Sequence, residues 1–151
     1  MAKKNPVNMV EWQTKDSARL KSFYGGVFRW KFDEVAPGHY TMVNTGNDEL
    51  AGAICQLGEE PAPTRVVPYV VVDDLGESEQ QIRALGGQVI ISKHEVPGFG
   101  WFSSFTDPDG NTIGLWQDLP KKQRKAAKKD QKAKKKASKK DNKKQKKKTK
   151  R

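Results

Sequence analysis

Three short stretches carry residue types able to hold or transform a small molecule. In "VNMVEWQ" (7–13), strand alternation sets Met9, Glu11 and Gln13 on one side and Asn8, Val10 and Trp12 on the other. "LAGAICQL" (50–57) places Ala51, Ala53 and Cys55 together, and "NTIGLWQ" (111–117) does the same for Thr112, Gly114 and Trp116. With Tyr69 of "VVPYVVVDD", these residues supply apolar, stackable side chains at Met9, Tyr69 and Trp116 and small ones at Ala51, Ala53 and Gly114, which would line one cleft if their strands lie side by side. The plain alternative is that these side chains fill a barrel interior. Glu11 is the sharpest candidate, as a general base or as the anchor of a cationic ligand. Acting alone it is a weak catalyst, because no oxyanion site is visible to stabilise the charge of a product. Its bland counterpart is a rim carboxylate, wet or paired with a nearby Arg or Lys. Cys55 reads as a small hydrophobe, with no histidine placed to activate it. His39 ("APGHY") and His94 ("SKHEV") sit in loop-like contexts and are expected at the surface.

The elements that must position these residues occur twice. "VNMVEWQ" precedes a helix over "ARLKSFYGGVF", with Asp16 and Ser17 as N-cap candidates and Gly25-Gly26 ending or loosening it. Strands "RWKFDEV", "HYTMVNT" and "LAGAICQL" follow. The second copy begins at "VVPYVVVDD" (66–74). Its helix "ESEQQIRALGG" (77–87) turns Ile82 and Leu85 inward and stops at Gly86-Gly87. "QVIISK", "GWFSSFT" and "NTIGLWQ" complete it, the last entered through the turn Asp107-Pro108-Asp109-Gly110. The layout is β-α-β-β-β twice, with "EEPAPT" (59–64) as the hinge. Asp16 answers to Asp74 and "GAICQ" to "IGLWQ". Trp12 and Trp30 are expected in the core under a helix, and Trp101 beside the cleft entrance near "EVPGFG".

Composition divides the 151 residues, whose net charge of +11 hides two opposite parts. Residues 120–151 hold nineteen Lys or Arg against two Asp, so the remaining 119 residues are acidic, at −6. All aromatic residues lie before 120, and the segment beyond has nothing to bury, so it is expected to be disordered when alone. It is similar to the lysine-rich tails of linker histones, and lysines without aromatics imply non-specific contact with DNA or RNA phosphates. A lone cysteine excludes an internal disulfide and suggests a reducing compartment. No run has signal-peptide or membrane-spanning length, so the expectation is a cytoplasmic protein with no membrane partner.

"DSARLKSFYGGVFRWKF" and "DPDGNTIGLWQ" resemble the first-helix and final-strand signatures of the vicinal-oxygen-chelate superfamily, which holds glyoxalase I, extradiol dioxygenases and bleomycin-resistance proteins. The likeness covers about residues 6–118 and nothing beyond. It implies an α+β fold in which two βαβββ modules form a half-open barrel cleft over residues 6–119, followed by the basic tail 120–151. It also implies a homodimer and, in metal-using members, His and Glu ligands on the first and last strands of each module. Mapped here, those positions are Met9, Val67, Ala53 and Gly114, which offer a hard divalent ion no donor. Glu11 and Cys55 are the nearest side chains with one. The expected protein is therefore a metal-free, small-molecule-binding member without a cofactor, catalytic in no evident way. The alternative is a lyase or dioxygenase of the same superfamily with displaced ligands.

Overall fold

The computed structural model describes residues 5–46, 49–59, 62–120 and 123. The basic segment 120–151 lies outside them, apart from Pro120 and Gln123. The elements run β1 (Val7–Thr14), α1 (Ser17–Phe28), β2 (Lys31–Ala36), β3 (Tyr40–Asn44), β4 (Ala51–Gln56), β5 (Arg65–Val71), α2 (Leu75–Ala84), β6 (Gln88–Val96), β7 (Gly100–Thr106) and β8 (Thr112–Asp118). The duplicated order is thus present, and the strands form one open eight-stranded sheet, β2-β3-β4-β1-β5-β8-β7-β6. The two modules meet at the antiparallel β1–β5 pair, and each closes with a parallel pair, β1–β4 and β5–β8.

The helix starts follow from the acids identified above. Asp16 Oδ1 accepts from the Arg19 amide at 2.8 Å, and Asp74 Oδ1 accepts from the Glu77 amide at 2.9 Å. The glutamines that end the matching stretches "GAICQ" and "IGLWQ" cap the same helices: Gln56 Oε1 accepts from the Ser17 amide and Gln117 Oε1 from the Leu75 amide. The helix stops differ from expectation in two places. α1 runs through Gly25-Gly26 to Phe28 and ends at Arg29, which takes the left-handed φ of 58°. Gly25 serves packing, since a Cβ there would lie 3.3 Å from the Phe32 ring. α2 ends at Ala84, so Leu85 swings outward and is 81% exposed, while Ile82 packs inward as expected. Gly86 makes the stop at φ 90°.

Both helices lie on one side of the sheet. There Val72, Leu75 and Leu115 form a buried cluster with Val70, Ile82, Trp101 and Phe105 packed against it. Under α1, Trp12 meets Tyr24 and Trp30 with ring centroids 5.7 Å apart, the helix-side core expected of Trp12 and Trp30. Trp101 belongs to this side too, with Lys93 Nζ 5.0 Å over its ring; it does not border the cleft, because its strand parity matches Leu115 and not Gly114. Among the described residues the opposite side carries no helix, and it presents the candidate site.

The turn before β8 is built as its residues dictate. The Gly110 amide donates to Asp107 O at 2.9 Å, and Gly110 takes a φ of 87°. Asp107 Oδ1 accepts from the amides of Asp109 and Asn111, and Oδ2 from Asn111 Nδ2 at 2.8 Å, which holds its carboxyl below the usual carboxylate range. This turn aligns Thr112, Gly114 and Trp116 along the helix-free face.

Candidate functional site

Strand pairing brings the candidate residues of both modules onto that one face. Glu11 stands between Ala53 on β4 and Val67 on β5, Gln13 between Cys55 and Arg65, and Met9 between Ala51 and Tyr69. Tyr69 in turn pairs with Gly114, and Val71 with Trp116. Met9, Glu11, Gln13, Ala53, Cys55, Tyr69, Gly114 and Trp116 therefore share one face. The residues set directly beside Ala53 and Gly114 are Glu11 and Tyr69.

Glu11 is not a rim carboxylate. It is 4% exposed and accepts from three protein donors: Tyr40 Oη to Oε2 at 2.9 Å, Gln13 Nε2 to Oε1 at 2.9 Å, and Tyr69 Oη to Oε1 at 3.5 Å. Among the described residues no Arg or Lys pairs with it. A carboxylate so enclosed is stable only because its lone pairs are met, and the two phenols do most of that. Tyr40 was not anticipated. It alternates with Met42 and Asn44 in "HYTMVNT", yet only the pairing of Tyr40 with Cys55 settles which face the set occupies.

Burial first, and then the negative charge of Glu11, hold the Tyr40 and Tyr69 phenols far above the ordinary tyrosine value. The Cys55 thiol is pushed up to about 11 by the same two causes. All three are neutral acids at physiological pH, and Cys55 is no thiolate nucleophile. The sign of the resulting pH dependence is fixed. The unfolded chain ionises these groups first, so their contribution is whole below about pH 9 and falls as pH rises through the folded values, by up to ~1.4 kcal/mol per pH unit for each buried phenol and by less for the half-exposed thiol, which solvent screens. Melting temperatures are expected to hold from neutral pH to about 9 and then to drop steeply, and Tyr40→Phe should flatten that drop. An equal slope in the variant would remove Tyr40 from the account.

The space at Gly114 has an occupant. An added Cβ would run into the Tyr69 ring, which lies over the glycine and is itself 7% exposed. Trp116 sits similarly over Gly100, where a Cβ would lie 2.8 Å from its Cζ2, and its Nε1 donates to Asp118 Oδ1 at 3.1 Å. Met9 Sδ lies 3.8 Å from Tyr40 Oη. At the β5 end, Arg65 Nη1 donates to Thr112 Oγ1 at 2.8 Å, another contact the sequence did not announce. His39 and His94 are exposed, His94 on edge strand β6 with its ring 5.3 Å from Phe102, and neither joins the site.

The donor set can be tested against a divalent ion. Glu11 is the one buried carboxylate on the four central strands, and its oxygens are already engaged. Among the described residues no three His, Cys, Asp or Glu side chains come together. The described residues around Glu11 form a hydrogen-bonded, partly apolar floor. None of the described helices is long and apolar enough to cross a membrane.

Comparison with known proteins agrees with this geometry at the level of the fold. A family model described as a glyoxalase-like domain matches residues 9–116. "Putative glyoxylase CFP32" of Mycobacterium tuberculosis (strain CDC 1551 / Oshkosh) is 35% identical over 118 residues, covering 73% of this chain and 44% of that protein. The anthracycline biosynthesis protein DnrV of Streptomyces peucetius is 26% identical over 118 residues, covering 68% of this chain and 43% of its own length. The chain thus spans less than half of each of these curated relatives. The Mn(II)-bound glyoxalase from Novosphingobium aromaticivorans superposes with a TM-score of 0.56 at 20% identity, over 76% of this chain and 39% of that one, a likeness of fold.

Proposed function

Since the chain belongs to the glyoxalase-like domain family, we propose that it keeps the family's cleft as a binding site for a small organic molecule and works there without a resident metal ion. The observation that carries this reading is the engagement of Glu11: its carboxylate, enclosed by two phenols and an amide, already accepts from three protein donors. Such a group organises the donors and acceptors of a pocket floor and has little left for a cation. DnrV, named for anthracycline biosynthesis, lends support to an organic ligand. The tail 120–151, with nineteen basic residues, would hold the protein on nucleic-acid phosphates. A homodimer completes the reading, supported by the outer side of α1, where Phe23, Val27 and Phe28 are each more than half exposed.

Native mass spectrometry of the full chain, purified without chelator and again after incubation with Mn2+ or Zn2+, tests the core of this. The expected masses are those of a dimer that is bare or carries an organic adduct, with no stoichiometric ion. One divalent ion per chain would overturn the reading and favour the superfamily enzyme, lyase or dioxygenase, with displaced ligands. For the tail, anisotropy of a labelled duplex should give a log-log salt slope of about −7 if about eight phosphates are neutralised. Removing 120–151 should abolish that binding; unchanged binding would sink the tether.

A further inference from the structure

Arg65 is the cation of the helix-free face that nothing above uses. It opens β5, pairs across to Gln13 on β1, and reaches along the face to β8, where Nη1 donates to Thr112 Oγ1 at 2.8 Å. Its Nε–H is enclosed with no hydrogen-bond partner, and among the described residues no carboxylate pairs with the guanidinium. A charged donor group held in place by one neutral hydroxyl, with a buried N–H left over, is a costly arrangement. It becomes a favourable one when an anion supplies the missing acceptor, because a guanidinium matches a carboxylate edge with two parallel N–H donors.

The neighbouring groups define the rest of the ligand. Glu11 lies two residues along β1 from the Gln13–Arg65 pair, about 7 Å at strand rise. Tyr40 and Tyr69 spend their hydroxyl protons on Glu11, so each phenol oxygen can offer a ligand only a lone pair. Gln13 gives one amide N–H to Glu11, and its carbonyl oxygen is bonded to nothing among the described residues. The face is thus polarised, with a positive donor at Arg65 and a set of acceptors at the Tyr40–Glu11–Tyr69 end.

We infer that Arg65, steadied by Thr112, is the anchor for the carboxylate of a small organic acid whose other end carries a hydrogen-bond donor such as a hydroxyl, directed at Tyr40 and Tyr69. A monoanion suits the site better than a phosphate dianion, because the single guanidinium offsets one charge and the Glu11 carboxylate stands nearby. This inference rests on the small-molecule reading of the cleft and adds to it the class of ligand.

The test uses 4-hydroxybenzoate and its neutral methyl ester as probes, with backbone amide shifts of the isotope-labelled full chain as the readout. The basic tail attracts any anion, so the amides of Gln13, Val67 and Thr112 report on the site itself. The acid is expected to move these three amides in the wild type and to bind at least about tenfold more weakly to Arg65→Gln, with Arg65→Lys retaining part of the affinity. The ester should bind all three forms equally and weakly. A site that takes ester and acid alike, or an Arg65→Gln chain that binds the acid undiminished, overturns the anion anchor and leaves the small-molecule cleft standing. A chain in which neither probe moves a cleft amide overturns both.

Discussion

Replacing Gly114 by alanine is expected to destabilise the protein by about 3 kcal/mol, the upper range for overfilling a packed interior. A glycine inside a strand ordinarily gains from such a change, by about 0.5–1 kcal/mol, because the unfolded chain loses freedom. Here the sign reverses, since the new methyl would occupy space held by the Tyr69 ring. That ring cannot step aside cheaply. It is 7% exposed, stands on the row next to Glu11, and has its hydroxyl directed at Glu11 Oε1. A double-mutant cycle separates this cause from a general intolerance of the strand. In a Tyr69→Ala background, Gly114→Ala should be neutral or slightly stabilising, giving a coupling of about 3 kcal/mol between two residues paired across β5 and β8. Urea midpoints of the four proteins provide the measurement. A Gly114→Ala protein as stable as wild type would show that the ring yields freely, and the account of the site as a closed, pre-organised floor would fail with it.

The same pair shows where sequence reading succeeds and where it stops. A strand with glycine at its centre announces a hole, and the alternation of Thr112, Gly114 and Trp116 gives the face on which the hole opens. What fills it depends on the partner strand. Tyr69 is 45 positions away, and its pairing with Gly114 follows from the parallel β5–β8 contact, which no local pattern encodes. The helix starts were legible for the opposite reason: Asp16 and Asp74 act on amides three residues away. Leu85 misleads because helical spacing continues past Ala84, where backbone geometry ends the helix two residues before the left-handed Gly86. Tyr40 and Arg65 were missed because each reaches its site partner across strands, Tyr40 to Glu11 over 29 positions and Arg65 to Thr112 over 47. A duplicated fold makes the face predictable and leaves the contacts across the module boundary to the three-dimensional register.

Glu11→Leu tests that boundary directly and should cost about 3 kcal/mol. The leucine is close in size, so the loss is one of acceptors and not of volume. Tyr40, Tyr69 and Gln13 would each keep a donor aimed at a carboxylate no longer there. An unsatisfied buried donor costs about 1–3 kcal/mol, and rotation of the half-exposed groups toward solvent recovers part of the sum. Glu11→Gln should be far milder, about 1 kcal/mol, because one oxygen still accepts and a tyrosine oxygen can take the new N–H. The two substitutions also separate the causes of tyrosine titration. Burial is the larger cause for both phenols and Glu11 the smaller, so tyrosinate absorbance in Glu11→Leu should rise at lower pH than in wild type yet remain above the free value. If both variants were as stable as wild type, the carboxylate would be an incidental passenger of the floor. A large penalty for leucine with a small one for glutamine would mean that this face is held together by hydrogen-bond acceptance at one residue, the role that leaves Glu11 least available to bind an ion.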